Sequence, residues 1–159
     1  VVPVNVLADA LERLLAPELK SRGVTFRREL DYEGELVLDV DRLTRALLNF
    51  AANALDAMPS GGTLTLAARR EGSRVELIVS DTGVGIPEEL QPRLFEPFFT
   101  HGKPRGLGLG MSIARKIVEE HGGEVRLASS RDAGTRVTLS MPIEPPALAV
   151  SPRLRAGER

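Results

Sequence analysis

Cysteine is absent from the 159 residues, which excludes disulfides, thiolate metal sites and cysteine nucleophiles. Long apolar runs are missing too: none approaches the roughly 20 residues that span a bilayer. Val1 to Asn5 lacks the charged-then-apolar pattern of a signal peptide. Neither sign of charge dominates, with 21 Lys plus Arg against 22 Asp plus Glu and a net charge of −1. The bulk positive charge of a nucleic-acid binder is therefore lacking. Hydrophobic residues at 42% and charged residues at 27% leave no case for a disordered chain. These features predict one soluble, cytoplasmic domain with at most a tail.

Aromatic residues make up only 4% of the chain, yet three of the 5 phenylalanines cluster at Phe95, Phe98 and Phe99. Glycine is also unevenly spread. Gly102, Gly106, Gly108 and Gly110 fall within one short stretch, where ordinary turns do not require them.

Hydrophobic periodicity predicts three helices. Val6, Leu7, Ala10, Leu11, Leu14 and Leu15 recur at threes and fours and end before Gly23. A second helix, with Asp41 as its expected N-cap, carries the stripe Leu43, Leu47, Phe50 and Ala54 and stops near Met58, before Pro59 and Gly61. A third opens around Gly108 to Gly110 and runs through Ile113, Ile117 and Val118 to Gly122 and Gly123. Period-two alternation marks strands at Val24–Leu30, Leu36–Leu38, Leu64–Leu66, Val75–Val79, Val125–Leu127 and Val137–Met141. Short polar turns at 70–73 and 129–134 predict hairpins. One apolar face per strand is the pattern of a sheet covered on one side. The expected fold class is α/β, a two-layer sandwich whose mixed, mostly antiparallel sheet carries three helices on one face. The expected domain is 1–143. Residues 144–159, with Pro145, Pro146, Pro152, Arg153, Arg155 and Arg159, read as a flexible tail.

Three segments carry candidate chemistry. Asn49, Asn53 and Asp56 are spaced by four and three, on one helix face beside the apolar stripe. Asparagine in mid-helix costs stability. The face is either a solvated edge or a set of amide oxygens for a hard cation such as Mg²⁺. Asp81-Thr82-Gly83-Val84-Gly85-Ile86 follows a strand. There a carboxylate can accept from an exocyclic amino group, and glycines permit close backbone approach to a flat ring. The same Asp-Thr-Gly occurs in aspartic proteases, but that fold is nearly all-β and this chain has three strong helical segments. The third segment runs Phe95-Glu96-Pro97-Phe98-Phe99, then Lys103 and Arg105, then Gly106-Leu107-Gly108-Leu109-Gly110 opening a helix. Amides at such a helix start, with basic residues nearby, suit polyphosphate. No GxxxxGK[ST] is present, and Met111 stands where the Rossmann fingerprint needs its third glycine.

In this order, the asparagine helix, DxGxG, FEPFF, the GxGxG helix start and Gly134-Thr135 together resemble the catalytic ATP-binding domain of bacterial sensor histidine kinases. That domain has the Bergerat (GHKL) fold and belongs to the larger group with DNA gyrase B, HSP90 and MutL. The wording Asn53 to Pro59 looks most like the nitrogen-regulator type. The resemblance implies ATP and Mg²⁺ as cofactors, with Asn53 as metal ligand and Asn49 supporting it or contacting phosphate. It implies that Asp81 bonds the adenine amino group, Thr135 joining through a water. Gly83, Gly85, Ile86, Gly106, Leu107, Gly108, Leu109 and Gly110 line the pocket and its cover, and Lys103 reaches toward phosphate. The phenylalanines would anchor the cover and engage a helical phosphoacceptor domain. Asp56 and Leu107 depart from the family pattern, and His101 interrupts its usual threonine–lysine run.

One position separates kinases from hydrolases in this group. The ATPases carry a glutamate general base where Asn49 stands, and an amide cannot accept a proton at neutral pH. The resemblance therefore implies transfer of the γ-phosphoryl group to a histidine on a separate helical-hairpin dimerisation domain, with a response regulator downstream. His101 and His121 are each followed by glycine rather than an acidic residue, so neither matches the acceptor. A fragment without the hairpin is expected to be monomeric and the full-length protein a homodimer. Alternatives of the same fold are an anti-sigma-type serine kinase and a nucleotide-binding regulatory module.

Overall fold

The computed structural model describes residues 1–100 and 109–144. A two-residue strand β1 (Val2–Pro3) leads into α1 (Val4–Arg22), followed by β2 (Val24–Leu30), β3 (Glu35–Leu36) and α2 (Val40–Asp56). The hairpin β4 (Gly62–Glu71) and β5 (Arg74–Asp81) comes next, then a 3-10 turn at Glu88–Arg93. Helix α3 (Gly110–Glu120) and the hairpin β6 (Glu124–Ser129) and β7 (Thr135–Pro142) complete the described chain.

Five strands form one sheet in the order β2-β4-β5-β7-β6. Strand β2 runs parallel to β4, and the other neighbours are antiparallel. Helix α2 packs on β4 and β5 between α1 and α3, while α1 lies along β2 and α3 along β6. The expected two-layer α/β sandwich is therefore present. Between the layers lie Leu7 and Leu11 of α1, Leu43, Leu47 and Phe50 of α2, Leu77 of β5 and Leu139 of β7, each at most 2% exposed. Burying each such side chain contributes about 1.5–3 kcal/mol, an upper figure because unfolded chains are already partly compact.

The structure departs from expectation in several places. Asp39, not Asp41, caps α2: its extended backbone lets Oδ1 accept the Arg42 amide at 3.1 Å. Asp41 sits in the first turn, where its charge complements the helix dipole. The run at Leu36 is a two-residue strand that pairs with β1 in a separate sheet. Such short pairs carry too few residues for alternation to show. On α1 the buried side is Val4, Leu7, Ala8, Leu11, Leu15 and Leu19, whereas Val6 and Leu14 are 42% and 52% exposed. Arg28 occupies the inward register of β2 beside Leu66 and reaches Asp9 (2.7 Å) and Glu12 on α1. Strand β7 continues through Pro142, paired with Arg74.

Candidate functional site

The ends of the central strands meet α2 and the start of α3 around one cavity. Its lining is Phe50, Asn53, Ala54, Ala57, Val79, Asp81, Met111, Leu127, Thr135 and Val137. Spacings of three and four along α2 put Phe50, Asn53, Ala54 and Ala57 on one side of the helix. Asp81 and Thr135 are register partners at the ends of β5 and β7, so antiparallel pairing delivers both to the same rim. The separate asparagine and carboxylate motifs thus converge, though nearly thirty residues apart in sequence.

Asp81 is fixed before any ligand arrives. Its Oδ1 accepts the Gly83 amide at 2.8 Å, and the Thr135 amide also donates to the carboxylate. Burial pushes its pKa above the ordinary aspartate value, while the two amides pull the other way. A carboxylate has about four acceptor positions, so Asp81 can still take a donor from within the cavity. Apolar walls from Phe50, Val79, Met111, Leu127 and Val137 would favour a flat ring carrying that donor.

The glycines after Asp81 lie close against neighbouring backbone. A Cβ on Gly83 would lie 2.4 Å from the Ala57 carbonyl oxygen, an atom that also accepts the Val84 amide at 3.0 Å. Gly85 has φ +73°, and a Cβ there would lie 1.9 Å from the Ser130 carbonyl oxygen. These glycines wedge the loop between the end of α2 and the β6–β7 turn. Their missing side chains make room for protein backbone, a requirement separate from the expected close approach to a ligand ring. The Ile86 amide donates to Ser129 Oγ at 2.8 Å, and that hydroxyl lies 2.8 Å from Thr135 Oγ1. Gln91, unmarked in the sequence reading, donates to the carbonyls of Ile86 and Ser129, each at 3.0 Å. Ile86 thus contributes its backbone to the rim's support.

Asn49 and Asn53 take different tasks. Asn53 lines the cavity, while Asn49 Nδ2 donates to the Gly110 carbonyl oxygen at 3.2 Å. This bond ties mid-α2 to the first residue of α3. Leu109 precedes α3 without a side-chain cap, its carbonyl accepting the Ile113 amide at 3.0 Å. Asp56 is exposed and pairs with Arg22 at the end of α1 at 3.1 Å, away from the lining residues. Lys103, Gly106, Leu107, Gly108 and His101 lie outside the described residues, as does 145–159.

The three phenylalanines also divide. Phe95 packs partly on the core, with the Arg115 guanidinium 5.4 Å from its ring centre, and Phe99 lies 4.6 Å from that of Arg93. Phe98 is 74% exposed with φ +66°. Sequence reasoning passed over Met111, Leu127, Phe50, Val79 and Val137 as site residues, because wall and core obey the same apolar periodicity.

Among the described residues no group of three His, Asp or Glu side chains could hold a metal unaided. A carboxamide oxygen on Asn53 is a hard donor, of the kind Mg²⁺ accepts when phosphate and water supply the remaining positions. Also among the described residues, no helix is long and apolar enough to cross a membrane.

The family model described as histidine kinase-, DNA gyrase B-, and HSP90-like ATPase matches residues 38–145. Sensor histidine kinase ZraS of Escherichia coli (strain K12) is 35% identical over 143 residues, covering 89% of this chain and 30% of that protein. Histidine protein kinase DivJ of Caulobacter vibrioides is 40% identical over 142 residues, covering 85% and 24%. The chain thus spans less than a third of the length of these curated relatives. The nucleotide-free catalytic domain of histidine kinase ThkA superposes with a TM-score of 0.79 at 31% identity, covering 89% of this chain and 95% of that one. ThkA has also been solved in complex with response regulator protein TrrA. None of these names carries the nitrogen-regulator subtype suggested by the wording of Asn53–Pro59.

Proposed function

Because the chain belongs to the histidine kinase-, DNA gyrase B- and HSP90-like ATPase family and has the fold of a histidine kinase catalytic domain, we propose that its cavity takes Mg-ATP for phosphoryl transfer to a histidine. The observation that carries this reading is that Asn53 and Asp81 line one cavity. Asp81 accepts the adenine amino group, and the apolar walls exclude water around the ring. Asn53 offers its carboxamide oxygen to Mg²⁺, which when bound neutralises charge on the phosphates. Asn49 holds Gly110 (3.2 Å), so that the first amides of α3 face the phosphate chain. Lys103 adds positive charge toward the phosphates, as the family resemblance implies.

The amide of Asn49 cannot deprotonate water, so hydrolysis is slow and the γ-phosphoryl group is kept for a protein acceptor. The acceptor histidine belongs to a helical-hairpin domain, engaged through the exposed Phe98. Catalysis by this chain is positioning and charge neutralisation. In the whole protein the hairpin supplies a homodimer interface, the phosphoryl group passes on to a response regulator, and this domain works in the cytoplasm as a monomeric unit. No nucleic acid takes part.

The test joins this chain to a histidine-bearing hairpin domain and supplies γ-labelled ATP with magnesium. Acid-labile label on the hairpin is expected. Acid-stable label would indicate a serine kinase, and nucleotide binding without transfer a regulatory module. Asn53→Ala should abolish the magnesium dependence of nucleotide binding. Undiminished dependence would remove Asn53 as metal ligand.

A further inference from the structure

His121 closes α3 with both ring nitrogens engaged. Nδ1 lies 2.7 Å from the Ile117 carbonyl oxygen, and Nε2 lies 3.1 Å from the Asp39 backbone nitrogen. A carbonyl only accepts, so Nδ1 carries the proton. The Asp39 amide only donates, so Nε2 must be bare. The neutral, Nδ1-protonated imidazole alone satisfies both partners. The ring therefore caps its own helix and at the same time bonds the N-cap residue of α2. Arg42 and Glu120 form an ion pair between the same two helix ends.

The opposite end of α3 is tied to α2 as well, through Asn49 and the Gly110 carbonyl. The helices run antiparallel, and the two ties are nearly equally spaced on both. Asp39 to Asn49 spans about 15 Å of α2 and Gly110 to His121 about 16.5 Å of α3, at 1.5 Å per residue. Fastened at both ends, α3 cannot slide along α2 without losing one tie.

We propose that His121 is a positioning residue for the nucleotide site: its neutral ring pins the far end of α3 to α2 and thereby holds Gly110 and Met111 in place at the cavity. This rests on the reading that the cavity takes a nucleotide. Protonation puts a hydrogen on Nε2, facing the Asp39 N–H, and two donors then oppose each other. The charged groups around the ring come from three elements. Asp39 and Arg42 lie on α2, with the Asp39 carboxylate turned to the Arg42 amide. Lys116 and Glu120 lie on α3, Glu120 held below the usual carboxylate range by Arg42. From β5, Arg74 bonds the Gly122 carbonyl at 3.2 Å. The carbonyl end of α3 and Glu120 both accommodate a charged ring, so the tie to α2 is the one that opens.

The experiment measures Mg-ADP affinity of the 159-residue chain between about pH 8 and about pH 5.5. The comparison is with His121→Gln, which keeps an acceptor for the Asp39 amide at every pH, and His121→Ala, which has none. Titration of the nucleotide's terminal phosphate is common to all three and cancels. Wild type should lose about fivefold more affinity than His121→Gln on acidification, the equivalent of one ordinary hydrogen bond. His121→Ala should already be about fivefold weaker at the upper pH. A second reading needs no nucleotide: the Asn49 side-chain amide resonance should move on acidification in wild type and stay put in His121→Gln. Parallel affinity profiles for wild type and His121→Gln, or an unmoved Asn49 resonance, would overturn the proposal. A chain that takes no nucleotide at any pH would instead refute the function proposed above, and the Asn49 resonance would still decide whether His121 positions α3.

Discussion

Replacing Asp81 by asparagine changes one oxygen to an amino group and little else, so its consequences can be worked from the contacts around it. The remaining oxygen can still accept the Gly83 amide, now at 2.8 Å. The new amino group then faces the Thr135 amide, which presently donates to the carboxylate, and two donors meet. An amide left without its acceptor costs about 1–3 kcal/mol. Against this, the protein no longer buries the charge whose desolvation raises the Asp81 pKa. The two effects oppose, and the stability of Asp81→Asn should stay within about 1 kcal/mol of wild type. Nucleotide binding has no such offset. A charge-assisted bond from the adenine amino group, worth about 1.5–3 kcal/mol, is replaced by a donor–donor contact. Affinity for ATP should fall by about 10-fold to 150-fold. Calorimetric titration with ATP, alongside a urea melt of the free protein, separates the two quantities. An affinity unchanged within twofold, in a variant that melts like wild type, would refute Asp81 as the base-recognition residue.

Two further outcomes follow from the same structure. Gly85→Ala combines a left-handed backbone with a Cβ 1.9 Å from the Ser130 carbonyl oxygen. It should destabilise the fold by about 3 kcal/mol, and a urea midpoint close to wild type would contradict the wedge geometry. Glu76 is 6% exposed between Arg69 (2.6 Å) and Arg126, and Arg69 first, then Arg126, holds its pKa below the usual carboxylate value. A depressed pKa gives stability that is present above the unfolded value and lost as pH falls through the folded one. Glu76→Gln should therefore cost about 1 kcal/mol at neutral pH, a modest figure because both arginines are more than half exposed. The gap to wild type should close once acid protonates Glu76, and a gap of constant size in urea melts down to about pH 3 would count against this clamp.

Local patterns showed most of the architecture. The stripe Leu43, Leu47, Phe50 and Ala54 is buried as its spacing predicts, because a helix must turn one side to the sheet. The hairpins at 70–73 and 129–134 appear where their turn residues stand. The α2 cap was misjudged by two residues, since Asp39 and Asp41 are chemically identical and only backbone geometry distinguishes a cap from a first-turn residue. Val6 and Leu14 were assigned to the buried side of α1 because an apolar residue fits a stripe by spacing whether or not another element covers it. β1 escaped notice because two residues display no period, and the run expected at Leu36–Leu38 is the two-residue β3, Glu35–Leu36.

The sequence by itself determined the covalent chemistry available: no thiols, amides at Asn49 and Asn53, and a carboxylate at a strand end followed by glycines. It also determined the three helices and the five strands of the main sheet, because those follow from local spacing. Only the tertiary structure decided what each group faces. Antiparallel pairing set Asp81 beside Thr135, and the packing of α2 on β5 brought Asn53 to the same cavity. Gly83 and Gly85 accommodate neighbouring backbone, and His121 is engaged between two helices. Such contacts join residues far apart in the chain, and no local periodicity encodes which partner a folded surface will meet.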